Sequence, residues 1–123
     1  MSDAKNKHGT SRQDGHILDR LYQVIEERKA AADPSLSHTA KLIQDGPKRI
    51  AKKVGEEAIE ALIEGALGEK EKLREESADL LYHLLVLWAS CDLAPVDVWE
   101  TLEQREGVSG LVEKAARGKD ARN

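Results

Sequence analysis

The sequence reads as an all-α chain, and three features say so. Apolar residues recur at intervals of three and four through most of its length. Aromatics are scarce at 3%, with Tyr22, Tyr82, Trp88, Trp99 and no Phe, whereas a β-sandwich or barrel wants more aromatic and β-branched residues. Ala, Leu, Glu and Lys, the strong helix formers, are abundant, and Pro and Gly sit between the periodic stretches. The length of 123 residues suits one domain, expected over residues 15–118, with a polar arm at 1–14 and a frayed tail at 119–123.

The first helix, 15–32, carries Ile17, Leu18, Leu21, Val24 and Ile25 on one face, and Asp33-Pro34 ends it. Ser37 is a suitable N-cap for a short helix at 38–44. Gly46-Pro47 closes that piece, and Pro47 suits the first position of a third helix, 47–67. Its apolar stripe is Ile50, Val54, Ala58, Ile59, Leu62, Ile63 and Ala66. Gly55 interrupts it, either for a close backbone approach or for packing. Gly68 terminates it, and a fourth helix, 69–92, begins with acids that suit the helix dipole. Pro95 and Asp97 open a fifth, 95–105. A turn at Gly107-Val108-Ser109-Gly110 precedes a short last helix, 111–117.

Several classes are excluded. Lys and Arg total 19 against 23 Asp and Glu, a net charge of −4, which argues against a nucleic-acid-binding surface. A lone cysteine, Cys91, supports neither an intrachain disulfide nor a cysteine zinc cluster, and it reads as a small buried hydrophobe. No apolar run reaches membrane-spanning length, and residues 1–14 lack the apolar core of a secretory signal. The expectation is a cytoplasmic protein with no membrane partner. A core this small would gain from association through an apolar face.

The chemistry gathers in two segments. At about 100° per residue, Glu57, Glu60 and Glu64 share one stripe of the third helix, with Lys53 one turn earlier. On the fourth helix Glu76 and Asp79 share a face that continues through His83. From Leu80 to Trp88 that helix is apolar almost all round, as a buried helix is. The carboxylates therefore sit at the mouth of a buried seam, where crowded like charges call for cations. Two such pairs on facing antiparallel helices can surround one or two Mg²⁺ ions. Acidic pairs three apart are also common on solvated helices, so the pairing of the two motifs carries more than either half. Glu56 lies at the edge of the stripe, where Lys52 or Lys53 can pair with it. Lys53 is either a salt-bridge residue or a phosphate ligand. His83 reads as a hydrogen-bonded interior histidine, since no acid stands three residues before it, as a di-iron bundle requires.

Glu56-Glu57-x-x-Glu60 followed by Glu76-x-x-Asp79 resembles the all-α, MazG-type nucleoside triphosphate pyrophosphohydrolases. The text around them is similar to one branch, the phosphoribosyl-ATP pyrophosphatases. The matching stretches are Ser37-His38-Thr39, Lys52 to Ala58, Ala78 to Leu85, and Arg105 to Gly110 with Glu113-Lys114. His38 stands where that branch often has Tyr.

The resemblance implies a MazG-like helical bundle completed by homodimerisation. It implies Mg²⁺-dependent hydrolysis of phosphoribosyl-ATP to phosphoribosyl-AMP and pyrophosphate, the second step of histidine biosynthesis, with Mn²⁺ able to substitute. Glu57, Glu60, Glu76 and Asp79 would hold the metal. Glu56 or a metal-bound carboxylate would orient or deprotonate the attacking water. Lys53 would steady the phosphates, with Lys52 nearby. Arg105 and Lys114 either reach the ribosyl phosphate or tie the last helix to its neighbour. The length matches the form not fused to the next enzyme of the pathway. Two other readings stay open: a house-cleaning nucleoside triphosphate pyrophosphohydrolase, and a helical interaction module whose acids are merely solvated.

Overall fold

A computed structural model describes residues 15–106. Among the described residues there are five helices and no strand: α1 Ile17–Ala31, α2 His38–Asp45, α3 Pro47–Leu67, α4 Lys70–Ser90 and α5 Pro95–Arg105. The all-α expectation is met, and α3 and α5 have the limits expected from sequence. The expected α4 runs on to Asp92, but that residue takes a left-handed φ of 56°, which ends a right-handed helix. The turn at 107–110 and the helix at 111–117 lie outside the described residues. The chain divides into two compact units, with the break after Leu93.

In the first unit, local chemistry sets each helix end. Asp33 Oδ1 accepts from both the backbone N–H and the hydroxyl of Ser35, tightening the turn after α1. The Ser37 hydroxyl caps α2 by accepting from the Ala40 N–H at 3.1 Å. Gly46, at φ 100°, joins α2 to α3 in a conformation that L side chains rarely adopt. Gly68, at φ 73°, ends α3 in a Schellman motif: its N–H reaches Gly65 O at 3.2 Å, and Glu69 N–H reaches Glu64 O at 2.9 Å. The chain thus reverses within two residues, and α3 and α4 pack antiparallel along their length. This register sets Gly65 against Leu73, Glu60 against Glu76, and Glu57 against His83.

Ile25, Leu42, Ile50, Leu85, Val86 and Ala89 form the core. Burying Ile25, Ile50 or Leu85 stabilises the fold by about 1.5–3 kcal/mol each. Two contacts fasten α1 to the far end of α4. Lys29 Nζ donates to Ala89 O at 2.8 Å and to Asp92 Oδ1 at 2.9 Å, a cation at a helix C-terminus. Tyr22 OH donates to Leu93 O at 3.0 Å.

Two expectations, for the run from Leu80 to Trp88 and for Cys91, need correction, and two points the sequence leaves open are answered. The apolar stripe of α3 is fully buried only at Ile50; Ile59, Leu62 and Ile63 are 57%, 63% and 47% exposed. Its main neighbours are α2, joined at its first turn, and α4, and neither covers that face. The run from Leu80 to Trp88 is not buried all round, since Leu81 is exposed while Leu85 and Val86 are sealed. Cys91 is exposed, because it follows the last turn of α4 instead of lying within it. At Gly55 no described atom outside its own helix turn lies within 4 Å of where a Cβ would stand, so a close approach among the described residues does not account for it.

The second unit is described by α5, which has Pro95 in its first turn and a Thr101 hydroxyl that donates to Asp97 O at 3.1 Å. No single described helix is long and apolar enough to cross a membrane.

Candidate metal and phosphate site

The antiparallel pairing of α3 and α4 brings the four candidate carboxylates onto facing stripes. Glu76, half-buried on α4, faces Glu60 on α3. Its carboxyl is held above the usual range, first by burial, then by its pairing with Glu60, then by the negative charges of Glu60, Asp79 and Glu57. One group thus senses the other three. Glu57 is the deepest, its side chain 15% exposed, while Glu60 and Asp79 are exposed at the rim. Glu64 is half-buried one turn further along α3.

Glu57 faces His83. The Nδ1 of His83 lies 3.0 Å from the Asp79 carbonyl oxygen and 2.5 Å from Glu57 Oε1. Only the carbonyl contact has hydrogen-bond geometry, so buried Glu57 Oε1 is left without an aligned donor. A buried carboxylate oxygen in that state is costly unless a cation meets it. This orphaned oxygen and the all-oxygen donor set suit a hard divalent ion such as Mg²⁺. Among the described residues no three Asp, Glu, His or Cys side chains converge closely enough to cage an ion alone. Mg²⁺ keeps several waters and commonly takes one or two carboxylates plus substrate phosphates, so it does not require a ready cage.

One turn before the acids, Arg49, Lys52, Lys53 and Glu56 line a small cleft on α3. Lys53 is half-buried on the Glu57 stripe, while Lys52 and Glu56 are exposed. Glu56 thus stands among the bases and apart from the other acids. Arg105 is the last residue of α5, in the second unit. Lys114 lies outside the described residues.

The interior position expected for His83 is found, but its contact with Glu57 has no signature in the sequence. The Asp79–His83 spacing of four predicts their shared face; the reach to Glu57 depends on the register of the turn at Gly68. An aromatic group next to it also went unread. The Tyr82 hydroxyl is 2.6 Å from Thr39 Oγ1, and its ring meets His83 edge-on at 4.8 Å and stacks with His38 at 6.4 Å.

A family model described as phosphoribosyl-ATP pyrophosphohydrolase matches residues 18–106. The phosphoribosyl-ATP pyrophosphatase of Azospirillum brasilense is 57% identical over 82% of this chain and 90% of its own length. Its counterpart in Gluconobacter oxydans is 51% identical over 85% and 77%. That of Cereibacter sphaeroides is 52% identical over 83% and 98%. The acid motifs, the basic cleft beside them and the helices that carry both all lie inside the matched region, and the chain belongs to the phosphoribosyl-ATP pyrophosphohydrolase family.

Proposed function

We propose that the chain hydrolyses phosphoribosyl-ATP to phosphoribosyl-AMP and pyrophosphate, the second step of histidine biosynthesis, in the cytoplasm. The observation that carries this reading is that Glu57 and Glu60 on α3 face Glu76 and Asp79 on α4, in a chain of this family.

Glu57, Glu60, Glu76 and Asp79 would hold Mg²⁺, or Mn²⁺ in its place. The bound ion would supply charge neutralisation at phosphorus and a more acidic water. Lys53 and Lys52 place ammonium groups one turn away, where they offset the negative charge of the phosphate chain. A water attacks phosphorus, one phosphoanhydride P–O bond breaks, and pyrophosphate leaves with the bonding electrons. Glu56 or one of the four acids orients that water and takes its proton. Arg105 and Lys114 would either reach the ribosyl phosphate or tie the last helix to its neighbour.

A homodimer belongs to the same proposal. Ile59, Leu62, Ile63 and Leu67 form an exposed apolar face along the second half of α3. A second copy is the occupant expected from the family resemblance, and its docking would remove that face from water.

A substrate panel with purified chain tests the activity. Mg²⁺-dependent release of pyrophosphate from phosphoribosyl-ATP, abolished by a chelator, is expected. Turnover of deoxynucleoside triphosphates without turnover of phosphoribosyl-ATP would move the chain to a house-cleaning role. Absence of divalent-cation binding, with or without nucleotide, would favour an interaction module.

A further inference from the structure

We infer that His83 is a positioning residue for the metal site, fixing the Glu57 carboxylate through Nδ1. The inference rests on the metal reading above and adds a residue that ligates nothing itself. His83 is 8% exposed on α4, and Glu57 approaches it from α3. Two oxygens crowd Nδ1, the Asp79 carbonyl at 3.0 Å and Glu57 Oε1 at 2.5 Å. A bare nitrogen lone pair there would repel both, so the geometry assigns the ring proton to Nδ1. Nε2 is buried without a partner, which suits the neutral tautomer: a donor left unpaired at that depth would carry a heavier penalty.

One N–H thus links the two motifs. It bonds the backbone of Asp79, a proposed ligand on α4, and abuts the side chain of Glu57, a proposed ligand on α3. The Tyr82 ring, edge-on at 4.8 Å, limits rotation of the imidazole, and Tyr82 is itself tied to Thr39 on α2. Pressed against the His83 ring, the Glu57 carboxylate has few orientations left, so presenting it to an ion costs little entropy. Outer partners of this kind typically govern metal affinity by about 10–100-fold.

The test is Mn²⁺ binding by calorimetry on the full chain, without substrate, alongside melting temperature. His83→Leu should weaken Mn²⁺ by about 10–100-fold. His83→Asn, which keeps an N–H near the Nδ1 position, should retain near-normal affinity. His83→Gln, whose amide extends toward the Nε2 position, should fall with His83→Leu. The Asn and Gln variants decide the matter even if His83→Leu does not fold. Equal affinity in Asn and Gln, or normal affinity in a folded Leu variant, overturns the role of His83 alone. Failure of the wild-type chain to bind Mn²⁺ overturns the metal reading itself, and this inference with it.

Discussion

Glu76 on α4 faces Glu60 on α3, and the pairing of the two carboxyls helps to hold that of Glu76 above its usual range. Burial is the largest cause, and the negative charges of Glu60, Asp79 and Glu57 act in the same direction. A proton or a cation would each relieve the crowding at this point of the helix pair. A site arranged this way spends some stability of the empty protein on readiness for a cation.

The sign of the resulting pH dependence is definite. The folded Glu76 carboxyl titrates above its ordinary value of 4.5, so the empty native state binds this proton more tightly than the unfolded chain does. Its charge destabilises the empty fold above the raised value, and that penalty fades as pH falls toward 4.5. Glu76→Gln should therefore raise the melting temperature of the metal-free protein at neutral pH, while abolishing most Mn²⁺ binding. An unchanged or lower melting temperature would show that the crowding is not costly.

Lys53 gives a second test. Lys53→Ala should lower kcat/KM by about tenfold or more, the scale of one lost charge-assisted bond to phosphate. Steady-state kinetics with phosphoribosyl-ATP reads this directly, and an unchanged kcat/KM would take Lys53 out of the site.

The exposed face of α3 makes a third. Leu62 is 63% exposed among Ile59, Ile63 and Leu67. Leu62→Glu would place a charge in the proposed dimer contact, where desolvation is unfavourable. Sedimentation velocity should show a shift from dimer to monomer, and a dimer that persists unweakened would assign the contact elsewhere.

Lys29 supplies a control remote from the chemistry. Lys29→Met removes its bonds to Ala89 O and Asp92 Oδ1 and should cost about 1–2 kcal/mol in denaturant unfolding. The Asp92 hydrogen bond lifts the Lys29 ammonium above its usual 10.5, against some lowering by burial. Its contribution is therefore complete at neutral pH and is lost only as pH climbs through the raised value. The difference between wild type and variant should be flat across neutral pH, with kcat unchanged.

Much of this was legible in the sequence because local signals are strong here. Ser37, Gly46-Pro47 and Gly68 end or begin helices by backbone chemistry that needs no tertiary context. The acid spacing predicts the two stripes, and the short link at Gly68 predicts that they face each other. What escaped depends on cross-helix register and on what each face meets. The contact between His83 and Glu57 follows from which turn of α4 opposes which turn of α3, and periodicity does not report that. The exposure of Ile59 and Leu62 escaped for a related reason: an apolar stripe says that a face wants cover, without saying whether the same chain supplies it. The exposure of Cys91 is not legible in the sequence, because apolar character near a helix end does not distinguish the last turn from the residue after it.

The central claim is that the carboxylates between α3 and α4 hold the ion that the hydrolysis needs. The most direct test compares wild type with Glu57→Gln and Asp79→Asn, checked for folding by circular dichroism, for Mg²⁺-dependent pyrophosphate release from phosphoribosyl-ATP. Loss of about a hundredfold or more in kcat/KM in both folded variants is the predicted result. Near-normal, Mg²⁺-dependent release from either folded variant would contradict it.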